Sequence, residues 1–392
     1  MASAFELTLV DVAFWVGLLV FQLPVGVLAD KYGRRPSILV WEGLRCLGIL
    51  GYGLGASFLT FIGVNLVWSL GAAFAIGTSA YLYDALLEEG YESEFPRYIG
   101  RTTMIQLTSN AAGAFAGGLL VAATGDIQLT LLVGAAWNLT AFAVASTFVK
   151  PNVPRATEET YIRQIREGFR IVRRREGVAL LIAFEIVLGV TLYSMALFRP
   201  LYLTDALGVP EAQYAVVVSA FLLVAAAVSA FAGDIASRLG EFGTIAAIVA
   251  IASGGFLGMF VLGPSPFAIL LQAPIYIAWS LQPIMTTAFL NRRLEPGQRA
   301  TVLSMGAFAF TLVLAIAEPL VGYATTVTED LLLLGLLLGV ATLVPGTFIA
   351  LRWRSSVAPW PAVTPLPSRL LPGGGRVSRF HRLLERLSRF RP

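Results

Sequence analysis

Two carboxylic acids, Glu185 and Glu318, lie inside otherwise apolar stretches of the chain. An ionised side chain near the centre of a bilayer costs about 2.5–3.5 kcal/mol on insertion scales, so such residues persist only with compensation. One compensation is a proton-binding role, in which the carboxyl takes up and releases a proton as the protein works. The other is a neutral carboxylic acid that hydrogen-bonds a neighbouring helix. Both residues are therefore candidates for proton coupling.

Neutral polar and aromatic side chains recur at helical spacing in two further apolar segments, and each set would share one helix face. Such a mixture suits a small amphipathic organic molecule better than a phosphorylated one, which would need several inward-facing Arg or Lys residues. Similar stripes also occur where helices simply pack together. The candidates for a substrate cavity are Asn65, Ser69, Ser79 and Tyr83 in one segment and Gln272, Tyr276, Trp279 and Thr286 in the other.

A tight, charged turn, GVLADKYGRRP at 26–36, follows the first apolar segment. Its glycines permit a sharp turn and a close approach of helices, and its cations can lie among anionic headgroups. A turn of this composition either sets the topology alone or also contacts another part of the fold. The residues concerned are Gly26, Asp30, Lys31, Gly33, Arg34 and Arg35.

Membrane-spanning helices must carry these residues. The chain has 392 residues, of which 57% are hydrophobic and 13% charged, a composition that excludes an ordinary water-soluble globule. Runs of at least ~18 apolar residues, enough to cross a bilayer core about 30 Å thick, recur along the chain. We therefore predict an all-α polytopic membrane protein with eleven spans: 7–29, 37–58, 59–83, 100–123, 128–149, 178–203, 211–236, 241–263, 266–290, 300–326 and 330–351.

The loops alternate in cationic content, which predicts the orientation of the chain. Lys and Arg are absent from the connections at Ser57, Asp126, Asp205, Pro264 and Asp330 and present in the intervening connections. Because cationic loops tend to face the cytoplasm, we expect a plasma-membrane protein with a cytoplasmic C-terminus and anionic lipids at that face.

A charged segment divides the spans into two sets. Residues 150–177 begin with prolines and continue as an amphipathic helix, which we expect to lie on the cytoplasmic membrane surface as a linker. It separates an N-terminal bundle of five spans, 1–149, from a C-terminal bundle of six, 178–352. The remainder, 353–392, is a Pro/Gly linker with a basic tail that is either an amphipathic helix on the anionic leaflet or disordered.

The two sets share an internal repeat. GVLADKYG at 26–33 matches GDIASRLG at 233–240, and YDALLEEG at 83–90 matches LNRRLEPG at 290–297, both at an offset of 207 residues. Two matches at one offset indicate a duplicated unit. Parallel repeats around a central site are the architecture of one large class of transporter.

The charged turn resembles the loop between helices two and three of the major facilitator superfamily, which reads G-x-L-A-D-(R/K)-x-G-R-(R/K). The resemblance covers about residues 7–352. It implies a two-bundle fold of twelve helices, whereas this chain starts at the family's second helix. We expect either that Met1 is not the natural start or that the chain is a shortened, impaired carrier.

The resemblance also implies a conformational latch. In the family, the acid equivalent to Asp30 meets the N-terminus of the eleventh helix, here RATVLSMG at 299–306, whose unpaired amides favour a negative charge. Such a contact is worth about 1 kcal/mol, up to ~2 when partly buried, which shifts a two-state equilibrium roughly tenfold. We expect Asp30 and its neighbouring glycines and cations to bias the balance between two access states.

The remaining chemistry of the sequence is sparse. The single cysteine, Cys46, and the single histidine, His381, provide neither a disulfide nor a metal site, and the chain has no H-E-x-x-H, G-x-S-x-G or Walker motif. We therefore predict no enzyme activity, no cofactor, no metal and no nucleic-acid partner. Arg199, just before Pro200 near the end of a span, would either reach the membrane interface or attract an anionic substrate.

Taken with the resemblance, these features predict a monomeric secondary transporter that exports a small amphipathic compound by alternating access, in exchange for protons. One alternative is a transporter-like scaffold or sensor, or an impaired carrier without transport activity. A membrane-embedded enzyme is another. Solute flux in proteoliposomes separates the carrier from the scaffold, and turnover in detergent would favour the enzyme.

Overall fold

The computed structural model describes residues 4–55, 57–75, 81–82, 85–86, 88–91, 95–148, 161–294, 296–328 and 330–356. Every element in these ranges is a helix. The α-helices are α1 (Ala4–Tyr32), α2 (Arg34–Leu54), α3 (Phe58–Ala75), α4 (Phe95–Thr124), α5 (Ile127–Ser146), α6 (Tyr161–Arg174), α7 (Glu176–Leu201), α8 (Glu211–Ala230), α9 (Ala232–Leu262), α10 (Gln272–Arg293), α11 (Pro296–Thr328) and α12 (Leu331–Ser356). A π-helical turn, Tyr202–Ala206, follows α7, and a 3-10 turn, Pro266–Leu271, precedes α10.

Eleven of the described helices, all except α6, are long and apolar enough to cross a membrane, which confirms the predicted all-α polytopic fold. Some ends differ from the prediction. The span predicted at 211–236 ends at Ala230, because Phe231 leaves the helical region with φ −97° and ψ 11°. The span predicted at 59–83 is described as continuous helix as far as Ala75, and Ser79 and Tyr83 lie outside the described residues.

Helix α7 is the centre of the second set of spans. It contacts α10, α11 and α12, and Leu181, Leu188, Met195 and Phe198 along it have no more than 1% of their surface exposed. A helix that is apolar on all sides is stable in such a position because each of its faces meets another helix. The second set therefore packs around one buried helix.

In the first set, α3 packs against both α1 and α2, and α2 packs against α5. Helices α1 and α3 approach closely at Gly17, where an added Cβ would lie 2.2 Å from the Oγ of Ser69. Between α2 and α5, the buried thiol of Cys46 donates to the carbonyl of Ala135 over 3.5 Å. Small residues thus let these helices pack closely. Close packing matters in a membrane because the hydrophobic effect does not drive helices together in lipid.

The linker helix α6 packs on α11 as well as on α7. Ile165 and Val172 lie against the core of the second set, whereas Phe169 remains 61% exposed. At Gly168 an added Cβ would lie 2.7 Å from the Cβ of Met305, near the start of α11. The helix therefore presents part of its apolar surface to the second set.

The helix ends define two faces of the protein, which we name after a loop residue on each. The Asp126 face carries the start of α1 and the loops that follow α2, α4, α7, α9 and α11. The Gly33 face carries the other loops, including those that follow α1, α5 and α10, and the end of α12.

The internal repeat is visible in the backbone. Gly33 (φ 97°, ψ 167°) and Gly240 (φ 66°, ψ 179°) are related by the 207-residue offset, and both occupy a region that only glycine adopts readily. Four residues beyond each glycine a hydroxyl donates to its carbonyl: Ser37 to Gly33 over 3.0 Å and Thr244 to Gly240 over 2.6 Å. Gly33 separates α1 from α2, and Gly240 breaks α9 into two helical segments, so both repeats make the same kind of turn.

Replacing the turn glycine should destabilise the protein through the backbone alone. An added Cβ at Gly240 meets nothing within 4 Å, so Gly240→Ala adds only strain, of about 1–3 kcal/mol. We expect a clear fall in the apparent melting temperature of the detergent-solubilised chain. Gly254→Ala is the control, because Gly254 lies inside α9 and its Cβ position is also empty, so this change should be neutral or stabilising. Equal melting temperatures for the two variants would contradict the argument.

Candidate functional site

Glu318 lies at the contact between α1 and α11. Its surface is 1% exposed, and the carboxyl of Asp11 and the indole of Trp15 lie beside it. The Nε1 of Trp15 donates to Oδ2 of Asp11 over 2.7 Å. The Oε2 atom of Glu318 has no hydrogen-bond partner within the described residues. Two acids on different helices therefore meet at one point, and one oxygen is unsatisfied.

The surroundings of this acid pair are neutral. Tyr52 of α2 and Tyr193 of α7 lie close enough to interact electrostatically with Asp11. Within the described part of the chain, no salt bridge includes either acid. Two adjacent carboxylates without a cation cannot both be ionised at low cost, so a single shared proton is the simplest compensation.

Glu185, the second coupling candidate, lies elsewhere. Its Oε2 is 3.5 Å from the position that a Cβ on Gly306 would occupy, so it faces α11 nearer the Gly33 face. An aromatic cluster of Trp15, Tyr193 and Phe310, with ring centroids 5.5–6.2 Å apart, lies between Glu185 and the acid pair. The structure therefore does not bring the two predicted glutamates together.

The acid pair belongs to a seam between the first and second sets of helices, α1 against α11. At the Asp126 face, the amide of Phe5 donates to Oγ1 of Thr326 over 2.9 Å. One turn further in, an added Cβ on Gly322 would lie 2.3 Å from Oγ1 of Thr8. The contacts continue past the acid pair to the aromatic cluster.

A second seam, α4 against α8, occupies the position that the repeat relates to the first. An added Cβ on Gly118 would lie 2.3 Å from the Cβ of Ala215, and Oγ of Ser219 donates to the carbonyl of Ala111 over 3.0 Å. The 207-residue offset relates Glu318 to Ala111 and Asp11 to Val218. Only the α1–α11 seam therefore carries the acid pair.

The predicted polar stripe on α3 is used in helix packing as far as it is described. The Nδ2 of Asn65 donates to the hydroxyl of Tyr52 over 2.6 Å and to the carbonyl of Phe61 over 3.0 Å. Oγ of Ser69 donates to the carbonyl of Leu66 and faces Gly17 of α1. Both side chains are buried among helices of the first set.

The stripe on α10 is more concentrated. Gln272, Tyr276 and Thr286 are buried, and Trp279 meets the Tyr276 ring edge-on at 6.3 Å. The Nε2 of Gln272 lies 3.5 Å from the Sδ of Met259, while its Oε1 has no partner in the described residues. The hydroxyl of Tyr276 makes no hydrogen bond of good geometry there, although the side chain of Arg199 lies near it. This stripe thus retains hydrogen-bonding capacity that neighbouring helices do not use.

Arg199 is the residue that the sequence leaves ambiguous. Its side chain is buried against a neighbouring helix, because only 8% of the residue is exposed and Cζ lies 4.1 Å over the Tyr276 ring. One feature of the sequence marks Arg199 as unusual. The loops of the Asp126 face lack Lys and Arg, so a cation near that face is exceptional.

The charged turn anchors the first set at the Gly33 face. Gly26 lies within α1 and Gly33 ends it, while Nη2 of Arg35 donates to the carbonyl of Ser146 over 2.7 Å. A cation at the C-terminus of α5 is favourable because of the helix dipole. The side chains of Asp30, Lys31 and Arg34 lie outside the described residues.

Comparisons with known proteins agree with this architecture. The profile of the Major Facilitator Superfamily matches residues 1–318. Multidrug resistance protein Stp of Mycobacterium tuberculosis is 35% identical over 109 residues, which are 28% of this chain and 20% of Stp. The uncharacterized MFS-type transporter YfkF of Bacillus subtilis is 41% identical over 81 residues, 19% of each chain. The matches thus span about a fifth of these relatives.

Solved structures share the fold at low identity. A bacterial homologue of the human lysosomal transporter Spinster, in an inward-facing and unoccupied conformation, has a TM-score of 0.70 at 16% identity, covering 90% of both chains. A mutant of the nucleoside transporter NupG has a TM-score of 0.68 at 14% identity, covering 88% of this chain and 90% of its own.

Proposed function

The chain belongs to the major facilitator superfamily, a family of transporters, and we propose that it exports a small amphipathic organic compound in exchange for protons. The observation that carries this proposal is the pair of seams related by the repeat, α1–α11 and α4–α8. A carrier that exposes its centre alternately to two faces needs two such contacts, which form and separate together.

The position of the seams supports alternating access. In the described residues, both seams extend from the Asp126 face toward the middle of the spans, at Phe5–Thr326 and at Gly118–Ala215. This arrangement closes the Asp126 face. Rocking the bundle 1–149 against the bundle 178–352 would separate these contacts and open that face.

Proton coupling is assigned to the acid pair, with Glu318 as the principal proton acceptor and Asp11 as its partner. Closing the α1–α11 seam brings the two carboxyls together, so closure requires a proton. Opening lets water reach both groups and lets them ionise separately. The proton therefore favours the state closed at the Asp126 face. Glu185 is a second candidate at a separate position.

The proposed direction and location are inferred from the loops and the relatives. The Gly33 face, with the cationic loops and the C-terminus, is proposed to lie in the cytoplasm and to contact anionic lipids of the plasma membrane. Export is favoured because one relative carries the name multidrug resistance protein. The chain is proposed to act as a monomer.

The substrate path is proposed to include the α10 stripe, Gln272, Tyr276, Trp279 and Thr286, because its unpartnered polar atoms and its aromatic rings suit an amphipathic molecule. The repeat relates the α10 stripe to the polar stripe of the first set, which therefore stays a candidate for the substrate cavity: Asn65, Ser69, Ser79 and Tyr83. The Asp30 latch also stays a prediction. Its expected partner, the start of α11, is contacted by α6 in this structure.

Flux through proteoliposomes tests the proposal. Purified chain is reconstituted, a panel of fluorescent amphipathic dyes is loaded, and the flux is measured with and without an imposed pH gradient. We expect dye to move against its gradient at a rate that follows the pH gradient. Absence of flux for every dye, with the chain folded, would favour a scaffold or sensor, and chemical turnover of a dye in detergent would favour an enzyme.

A further inference from the structure

Arg199 is a buried cation for which the described structure provides no counter-ion. It lies in the last turn of α7 and is 8% exposed, and no carboxylate of the described residues forms a salt bridge with it. Its Nε atom has no hydrogen-bond partner there. Burying an uncompensated charge is costly, so such a residue is kept where a further partner neutralises it.

The groups around Arg199 are neutral and aromatic. The guanidinium covers one side of the Tyr276 ring at 4.1 Å, and Phe221 stacks against the same ring at 5.8 Å with an angle of 26°. Tyr214 of α8 is near enough to interact electrostatically with Arg199, and the hydroxyl of Tyr276 lies within reach of the guanidinium without a hydrogen bond of good geometry. Together they supply a guanidinium and phenolic hydroxyls, which are donors that favour an anion.

This cluster lies directly behind the α4–α8 seam. Tyr276 and Phe221 pack on Ala111 of α4, in a small core separate from the main one. When the seam opens at the Asp126 face, α4 leaves this side of the cluster and the guanidinium becomes accessible from that face. A solute bound between the bundles would then meet Arg199.

We propose that Arg199, with the hydroxyls of Tyr214 and Tyr276, binds the single negative charge of an organic anion whose apolar body packs on Phe221 and Trp279. This inference rests on the proposed transport function and narrows its substrate class to amphipathic monoanions such as aromatic carboxylates. One cation matches one negative charge, whereas a phosphorylated solute would need several.

Binding of two matched probes to the purified full chain tests the assignment. Equilibrium dialysis measures the Kd of 2-naphthoate and of its neutral analogue 2-naphthamide. We expect the unmodified chain to prefer 2-naphthoate. Arg199→Gln should weaken 2-naphthoate binding about 10- to 100-fold, the range of a lost charge-assisted hydrogen bond, and leave 2-naphthamide binding unchanged. Arg199→Lys should give an intermediate loss.

The controls separate a binding role from a structural one. Arg352→Gln removes an exposed arginine paired with Glu176 at the Gly33 face and should leave both Kd values unchanged. If Arg199→Gln does not fold, as judged by thermal melting, the ratio of the two Kd values in Arg199→Lys and Tyr276→Phe carries the test. Equal weakening of both probes, or no preference for 2-naphthoate in the unmodified chain, overturns the proposal.

The dialysis result is independent of transport. A chain that prefers 2-naphthoate but moves no solute refutes the proposed function and keeps the anion site. A chain that transports dyes with no charge preference, and binds both probes equally, refutes the anion site alone.

Discussion

A Glu318→Gln chain should exchange solute across a vesicle membrane but no longer accumulate it against a gradient. The glutamine keeps the shape of the side chain but has no carboxyl group that can ionise. The α1–α11 seam can therefore close without proton uptake. For one proton per solute, a pH gradient of one unit supports about tenfold accumulation, because it corresponds to about 1.4 kcal/mol. We expect this ratio to fall to about one in the variant, measured as steady-state dye distribution in proteoliposomes.

Partner and control variants sharpen this test. Asp11→Asn should uncouple transport as Glu318→Gln does, and the double variant should be no worse than either single one, because one shared proton is lost in each case. Asp205→Asn, an exposed acid at the Asp126 face, should keep full accumulation. Retained accumulation in Glu318→Gln with its loss in Glu185→Gln would move the proton site to Glu185.

Gly118→Val should hold the Asp126 face open, whereas Gly113→Val on the same helix should not. At Gly118 an added Cβ would lie 2.3 Å from Ala215 across the seam, while at Gly113 it would meet nothing within 4 Å. Overpacking costs about 1–3 kcal/mol, which lowers the population of the closed state about 5- to 150-fold. Because the closed state is less populated, we expect the rate of dye transport to fall in Gly118→Val.

Thiol labelling measures this opening directly. Ala111→Cys places a reporter in the α4–α8 seam, where Ala111 is 2% exposed, and the native Cys46 is buried within the first set of helices. A membrane-impermeant maleimide added at the Asp126 face should label the reporter faster with Gly118→Val than with Gly113→Val. Equal labelling rates in the two backgrounds would show that the seam does not control access.

The elements of the fold were accessible from sequence because their signals are local. A span such as α12 is recognised by apolar length alone, and the turns at Gly33 and Gly240 by a short pattern that only glycine geometry satisfies. Given the turn at Gly33, the 207-residue repeat predicts a turn at Gly240. Hydropathy locates the ends of helices less precisely than their middles. For this reason the predicted span 211–236 extends beyond Phe231, where the helix has already ended.

The site was only partly accessible because it depends on how helices are rotated against each other. Glu318 stands out as an acid deep in a span, but Asp11 lies close to the start of its predicted span, where acids are common, and nothing local links the two. Whether Asn65 faces a cavity or Tyr52 depends on the angle of α3 about its axis. The position of Arg199 over the Tyr276 ring likewise depends on how α7 and α10 are arranged.

The difference between the two seams bears on the origin of the chain. A dimer of two N-terminal halves would set Asp11 opposite Ala111 in both seams, and a dimer of two C-terminal halves would set Glu318 opposite Val218. Either ancestor would bury a solitary acid twice. In this chain the two acids face each other because the two halves carry different residues at the related positions, so the proposed proton site depends on the divergence of the two copies.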